Sequence, residues 1–245
     1  MPVRSIPASR RSLTGRIAGT KCIGEAAFES TLERDLLLVL EFAPAVTAYE
    51  VQPVRISYID KVGRNRSYTP DVLIHGRHAG HTLPPLLCEI KHRADAQPPG
   101  ERERTALLRK LRAARRYAAD RGWCFRLLTE RHIRSAYLHN ARFLLPFRTH
   151  PARPERLARI LDRIEGEGSE PADDLLGAVA QGPARGANSD YSWCIAALWH
   201  LLATSQLLVD HAIALTMQTR IYHPVHRAAA SLLSGPAWLV ATRPT

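Results

Sequence analysis

Residues 70–91 read PDVLIHGRHAGHTLPPLLCEIK. Proline and aspartate open a short apolar run, a loop follows, and a second apolar run ends in Glu-Ile-Lys. Both runs have the length and apolar content of buried strands. Asp71, Glu89 and Lys91 thus stand at strand ends, where ionised groups are costly unless paired or bound to a cation. Glu89 and Lys91 are two apart, so on a strand they share a face, and Ile90 turns to the other. If the strand of Asp71 pairs alongside, the three charges meet at one point. Phosphodiester hydrolysis asks for such a group. Carboxylates and a carbonyl hold a hard divalent ion, and a lysine serves water and phosphate. A plain ion pair across a sheet accounts for the same residues.

Upstream, FESTLERDLLLVLEF (28–42) has Leu32, Leu36 and Leu40 at four-residue spacing, with Val39 on the same face, and Pro44 stops it. That is an amphipathic helix. Glu29 and Glu33 lie on one face of it, either of them a helix-borne acid for the same centre. Glu33 also closes Ser-Thr-Leu-Glu, a capping box, and the pattern leaves cap and ligand open. VTAYEVQPVRISYID (46–60) reads as one or two strands, with Pro53 at an edge or bulge. KVGRNR is a basic turn, SYTPDVLIHG a second strand, HAGHTLPP a loop and LLCEIKHR a third strand.

ERERTALLRKLRAARRYAADRG (101–122) is a helix with Leu107, Leu111, Ala114 and Ala118 as its buried stripe. Arg109, Lys110, Arg112, Arg115 and Arg116 crowd the rest, and WCFRLLTE (123–130) is a fourth strand. Helix, strands, helix, strand predicts an α/β layer with a mixed sheet rather than a doubly wound one. RTHPARPE (148–155) interrupts the pattern. After it come three helical stretches, PERLARILDRIEG, PADDLLGAVAQG and DYSWCIAALWHLLATS. QLLVDHAIALTMQTRIYHP then alternates like a hairpin, which predicts a winged-helix-like α domain. The expected organisation is a basic N-terminal arm over 1–24, an α/β domain over 25–148 and the winged-helix-like domain over 149–245.

The chain has 245 residues, 45% of them hydrophobic, and a formal net charge of +11. A core of that size excludes disorder throughout, and the charge suits a polyanion, of which nucleic acid is the commonest. The first 21 residues hold five basic and no acidic side chains, which fits phosphate contact or a solvated tail. Arg64 and Arg66 in the basic turn, and Arg112, Arg115 and Arg116 on the long helix, are the candidate DNA-binding residues, with a wet charged face as the bland alternative. The third C-terminal helix is poor in basic residues, which favours a docking surface over sequence readout. Cys22, Cys88, Cys124 and Cys194 are scattered, so neither a zinc finger nor a disulfide framework is expected, and a reducing, cytoplasmic setting fits. No apolar run approaches a membrane span and no secretory signal is present. His75, His78 and His81 sit in a Gly-containing turn with no Cys or acid among them, which reads as a DNA-facing loop and not a zinc site. No phosphate-binding glycine loop, Ser–His–Asp order or Cys–His pair is visible.

Taken together, FESTLERDLLLVLEF, YEVQPVRISY, RSYTPDVLI, LLCEIK and WCFRLLTERHIRSAYLHNARFL, in this order over 28–145, resemble the TnsA family of transposon endonucleases. The stretch DYSWCIAALWHLLATSQLLVDHAIALTMQTRIY is more loosely similar to the family's second domain. The resemblance implies a restriction-endonuclease-like core that cuts the 5′, non-transferred strands at transposon ends with Mg²⁺, for which Mn²⁺ substitutes. It implies Glu33, Asp71 and Glu89 as catalytic carboxylates and metal ligands, the Ile90 carbonyl as a further ligand, and Lys91 serving water and phosphate. Some members have Gln where Glu89 stands, and Glu29 is the reserve for Glu33. Gln52 of the QP motif steadies the active-site strand or is a plain edge residue. The implied partners are transposon-end DNA, a DDE-type transposase subunit (TnsB-like) and an AAA+ ATPase regulator (TnsC-like). Rival readings are a stand-alone restriction or repair nuclease and a non-catalytic DNA-binding adaptor of the same fold.

Overall fold

The computed structural model describes residues 13–149, 152–181, 189–225 and 235–240. The chain forms two compact units, Met1–Ser135 with Pro236–Thr245, and Ala136–Gly235. The division falls before the proline-containing stretch 148–155, where the sequence places the boundary. The helix after Ser135 buries Leu138, Ala141 and Leu144, and it belongs with the second unit.

In the first unit the chain runs β1 (Gly15–Arg16), β2 (Ala27–Phe28), α1 (Thr31–Phe42), β3 (Val46–Val51), β4 (Ile56–Ile59), β5 (Asn65–Tyr68), β6 (Val72–His78), β7 (His81–Thr82) and β8 (Leu86–Ile90). It continues through α2 (Arg93–Ala96), α3 (Glu101–Ala119), β9 (Cys124–Leu128) and α4 (Glu130–Ile133). The central sheet has the order β3-β6-β8-β9, with β7 added to β6. Its first two pairings are antiparallel, and β8 with β9 is parallel. A parallel pair needs a crossover, and α3 supplies it. This is the mixed α/β layer expected, compatible with a restriction-endonuclease-like core.

Three local expectations change. SYTPDVLIHG is not one strand. Asn65–Tyr68 pairs with β4 as a separate hairpin, and Val72–His78 joins the central sheet. The break falls at Thr69–Asp71, where Pro70 has no N–H to give a ladder. The HAGHTLPP loop contains a tight hairpin, because Ala79 (φ 49°) and Gly80 (φ 81°) form a two-residue turn between β6 and β7. Residues 1–12 of the expected arm lie outside the described residues, and 13–24 are not a solvated tail. β1 pairs with β2, and Cys22 bridges to Tyr49 of β3. The Lys21 ammonium donates to the carbonyls of Leu40 (3.3 Å) and Ala43 (2.6 Å) at the end of α1, where a helix presents unsatisfied oxygens.

Alternation along β8 divides the core. Leu87 faces α3 with Leu73, Ile56, Tyr68, Ala114 and Ala118. Glu89 shares that parity and lies on the same side of the sheet.

The second unit runs α5 (Ala136–Leu144), a 3₁₀ turn (Leu145–Thr149), α6 (Pro154–Glu167), β10 (Ser169–Pro171), α7 (Ala172–Val179), α8 (Asp190–Ala203) and β11 (Arg220–Tyr222). The last element, α9 (Ala237–Val240), returns to the first unit. The three helices fall where the sequence places them. The hairpin is reduced: Leu208 bridges Tyr222 antiparallel, β11 pairs with β10, and 209–219 forms no strand. Side chains satisfy that stretch instead. Buried Asn140 donates to the Ile213 carbonyl (2.8 Å) and accepts from the Leu215 N–H (3.0 Å). No helix of the described residues is long and apolar enough to cross a membrane.

Candidate active site

The end of β6 next to β8 and α3 gathers the charges singled out above. Val72 pairs with Cys88, so one step further Asp71 lies opposite Glu89. The Asp71 N–H donates to the Cys88 carbonyl (3.1 Å), and the Asp71 carboxylate accepts from the Ile90 N–H (2.6 Å). The pairing thus sets the carboxyl of Asp71 against the main chain between Glu89 and Lys91. Lys91 is held by its own N–H to the Leu128 carbonyl (3.0 Å), and its ammonium is 3.3 Å from Glu89 Oε1.

Glu89 is 2% exposed, and its two oxygens differ. Oε1 also accepts from the Lys110 ammonium at 2.6 Å, whereas Oε2 is buried with no hydrogen-bond partner. Lys110 lies over the Tyr68 ring, 4.3 Å from its centre, and the buried Tyr68 hydroxyl also has no partner. Burial, then the charges of Glu89 and Asp71, push the Tyr68 phenol up. Burial, then the negative charge of Glu89, push the Asp71 carboxyl well above its ordinary range, while the Ile90 N–H and Lys110 pull it back. Glu33 adds to that upward push on Asp71.

Glu33 occupies the cap geometry. Its carboxylate accepts from the Ser30 hydroxyl (2.9 Å) and the Glu29 N–H (2.7 Å), and its own N–H donates to Ser30 Oγ (3.1 Å). Burial raises its pKa, those two bonds lower it, and the charges of Glu29 and Glu89 raise it further. Glu33 is therefore near enough to feel Glu89, but its oxygens face the helix start. Glu29 receives the Gln52 amide at 3.4 Å. Gln52 holds the chain entering β6 through its main chain, its N–H donating to the Asp71 carbonyl at 2.8 Å. It does so in the left-handed region (φ 50°), a conformation that costs a non-glycine residue of order 1 kcal/mol.

Lys110 is the residue that sequence reasoning missed, since the sequence sets it among the charges on the exposed face of α3. Its signal is spacing: it precedes buried Ala114 by four and Ala118 by eight, which places it on the inward stripe. The candidate DNA-binding residues separate. Arg112 and Arg116 face the β4–β5 hairpin across a cavity of about 530 Å³, which Arg115 does not line. Arg64 and Arg66 lie at the hairpin tip, each tied to Asp60 (3.2 and 3.1 Å). His75 meets Glu50 (3.6 Å), and His78 pairs across the hairpin with His81.

Among the described residues no three His, Cys, Asp or Glu side chains form a group that could hold a metal. Asp71, Glu89 and a main-chain carbonyl at Ile90 remain as hard oxygen donors, the kind Mg²⁺ takes. The partnerless Oε2 of Glu89 fits a cation, since a buried carboxylate oxygen without a partner is costly.

No curated protein matches this chain. The family model described as TnsA-like endonuclease N terminal matches residues 43–130, a span that takes in Asp71, Glu89, Lys91 and Lys110 but not Glu33. Over that span, about a third of the chain, the sequence is similar to TnsA-like endonuclease N-terminal domains.

Proposed function

We propose that this protein is the DNA-cutting subunit of a heteromeric, Tn7-type transposase and hydrolyses the 5′, non-transferred strands at transposon ends. The observation that carries this reading is the meeting of Asp71, Glu89 and Lys91 at one point of the sheet inside the matched domain. Asp71, Glu89 and the Ile90 carbonyl would hold Mg²⁺, or Mn²⁺ in its place. Glu33 would join them on leaving its cap. When bound, the cation supplies charge neutralisation at the scissile phosphate and makes water more acidic. Lys91 orients the attacking water and donates to a phosphate oxygen. The products are a 5′-phosphate and a 3′-hydroxyl. Arg64, Arg66, Arg112, Arg115 and Arg116 contact DNA phosphates, which position the substrate without reading sequence.

The second unit is read as a winged helix. Its order of helix, strand, two helices and two further strand positions supports that, with α6, β10, α7, α8, Leu208 and β11 in sequence. α8 contains neither Arg nor Lys, so a protein-facing role suits it. The partners in this reading are a DDE-type, TnsB-like transposase and an AAA+, TnsC-like regulator, in the cytoplasm. The test is strand cleavage in a system reconstituted with both partners. Asp71→Ala and Lys91→Ala each abolish 5′-strand cutting, by at least about a hundredfold, while DNA binding persists. Full cleavage by Asp71→Ala would refute the hydrolytic role.

A further inference from the structure

One face of α3 runs along the β4–β5 hairpin for its whole length. Arg102, Arg109, Arg112 and Arg116 lie on it at helical spacing, about 20 Å from first to last. Two cavities follow one another in the groove between helix and hairpin. The one towards the hairpin tip is about 210 Å³, and the one towards its base is about 530 Å³. Tyr58 lines both and so stands at their junction. Ile59, 62% exposed, adds an apolar wall to the larger cavity. Seven cationic side chains line the two cavities against two acids, Asp60 and Asp120. Asp60 is already committed to Arg64 and Arg66. Among the described residues, Arg102, Arg109, Arg112 and Arg116 make no ion pair.

Cations in a row with an aromatic ring between them form the surface that tracks a single nucleic-acid strand, phosphates on the charges and bases on the ring. The helix and hairpin meet at the groove floor, where Ile56, Ala113 and Tyr117 pack together. Cavities of about 210 and 530 Å³ have room for a base or a phosphate, whereas a stacked duplex would have to lie across them. The floor ends at Tyr68, under Lys110, which reaches Glu89. We propose that the groove between the β4–β5 hairpin and α3 binds one unpaired DNA strand, with a base stacked on Tyr58. The proposal rests on DNA being the substrate and is independent of the metal chemistry.

The test uses the full chain with divalent ions chelated, and fluorescence anisotropy of a labelled oligo-dT and of a duplex of equal length. The single strand binds at least about ten times tighter than the duplex. The pair Arg102→Gln with Arg109→Gln weakens single-strand binding about tenfold, and the salt slope falls by about 0.7 for each phosphate no longer neutralised. Tyr58→Leu weakens binding without changing the slope. Should Tyr58→Leu not fold, a 5-iodouracil strand cross-linked to the unmodified protein decides, since it must label the peptide holding Tyr58. Equal or tighter duplex binding, an unaffected arginine pair or cross-links elsewhere overturn the proposal. If neither DNA form binds, the groove belongs to a protein and the proposal also fails. Strand binding lost from a protein that still cuts DNA refutes the groove alone. Intact strand binding without cleavage refutes the hydrolytic reading alone.

Discussion

Glu89 holds two ammonium groups on one oxygen and leaves the other bare. Buried carboxylates are stable only with partners, and Lys91 and Lys110 supply them from different elements. Lys110→Met keeps the aliphatic stem over Tyr68 but removes one partner. The expected loss is about 1–3 kcal/mol of unfolding free energy, since Lys91 still compensates in part. Glu89→Gln in the same chain restores most of it, and urea denaturation of the two single variants and the double one measures the coupling. A Glu89–Lys110 pair that is merely incidental shows additive losses. Glu33 is poised differently. Its carboxylate belongs to the Ser30 cap, and movement off that cap would leave the Ser30 and Glu29 groups to water.

Elements here are joined by buried polar side chains. Glu41, 3% exposed on α1, accepts from Thr20 N–H (3.0 Å), Thr20 Oγ1 (3.1 Å), Lys21 N–H (3.2 Å) and Tyr49 OH (2.8 Å). Burial pushes its pKa up, but these bonds outweigh burial and hold it below the ordinary value. Glu41→Gln costs about 2 kcal/mol at neutral pH through weakened charge-assisted bonds. A carboxyl depressed in the folded state stabilises above its unfolded pKa, near 4.5, and that stability is lost as pH falls through the folded pKa. The difference in Tm between parent and Glu41→Gln is therefore full at neutral pH and shrinks as pH falls below about 4.5. In the second unit Asn140→Ala removes both side-chain bonds to the 213–215 stretch and costs about 2–3 kcal/mol, read by thermal melting. A loss below about 0.5 kcal/mol means that water replaces Asn140 there.

At the scale of the molecule, the proposed DNA substrate would meet a formal charge of +11. If about six phosphates are neutralised, affinity for duplex falls roughly a thousandfold between 50 and 200 mM salt. A flat salt profile in anisotropy would mean that the charge is not spent on DNA. The strands, the long helices and the Ser30 cap were legible because periodicity, turn residues and capping spacing are local properties. Asp71, Glu89 and Lys91 were legible because charge at the ends of apolar runs is rare. Sequence alone thus determined the α/β class, the three helices of the second unit and the nearness of Asp71, Glu89 and Lys91. The tertiary structure decided what lies far apart in the chain: Lys110 on Glu89, Thr20 on Glu41, Asn140 in place of a hairpin ladder, and the division at Ser135. The physical reason is that a charge or a hydrogen-bonding group takes its partner by distance in space, and only packing brings residues twenty or seventy positions apart within about 3 Å.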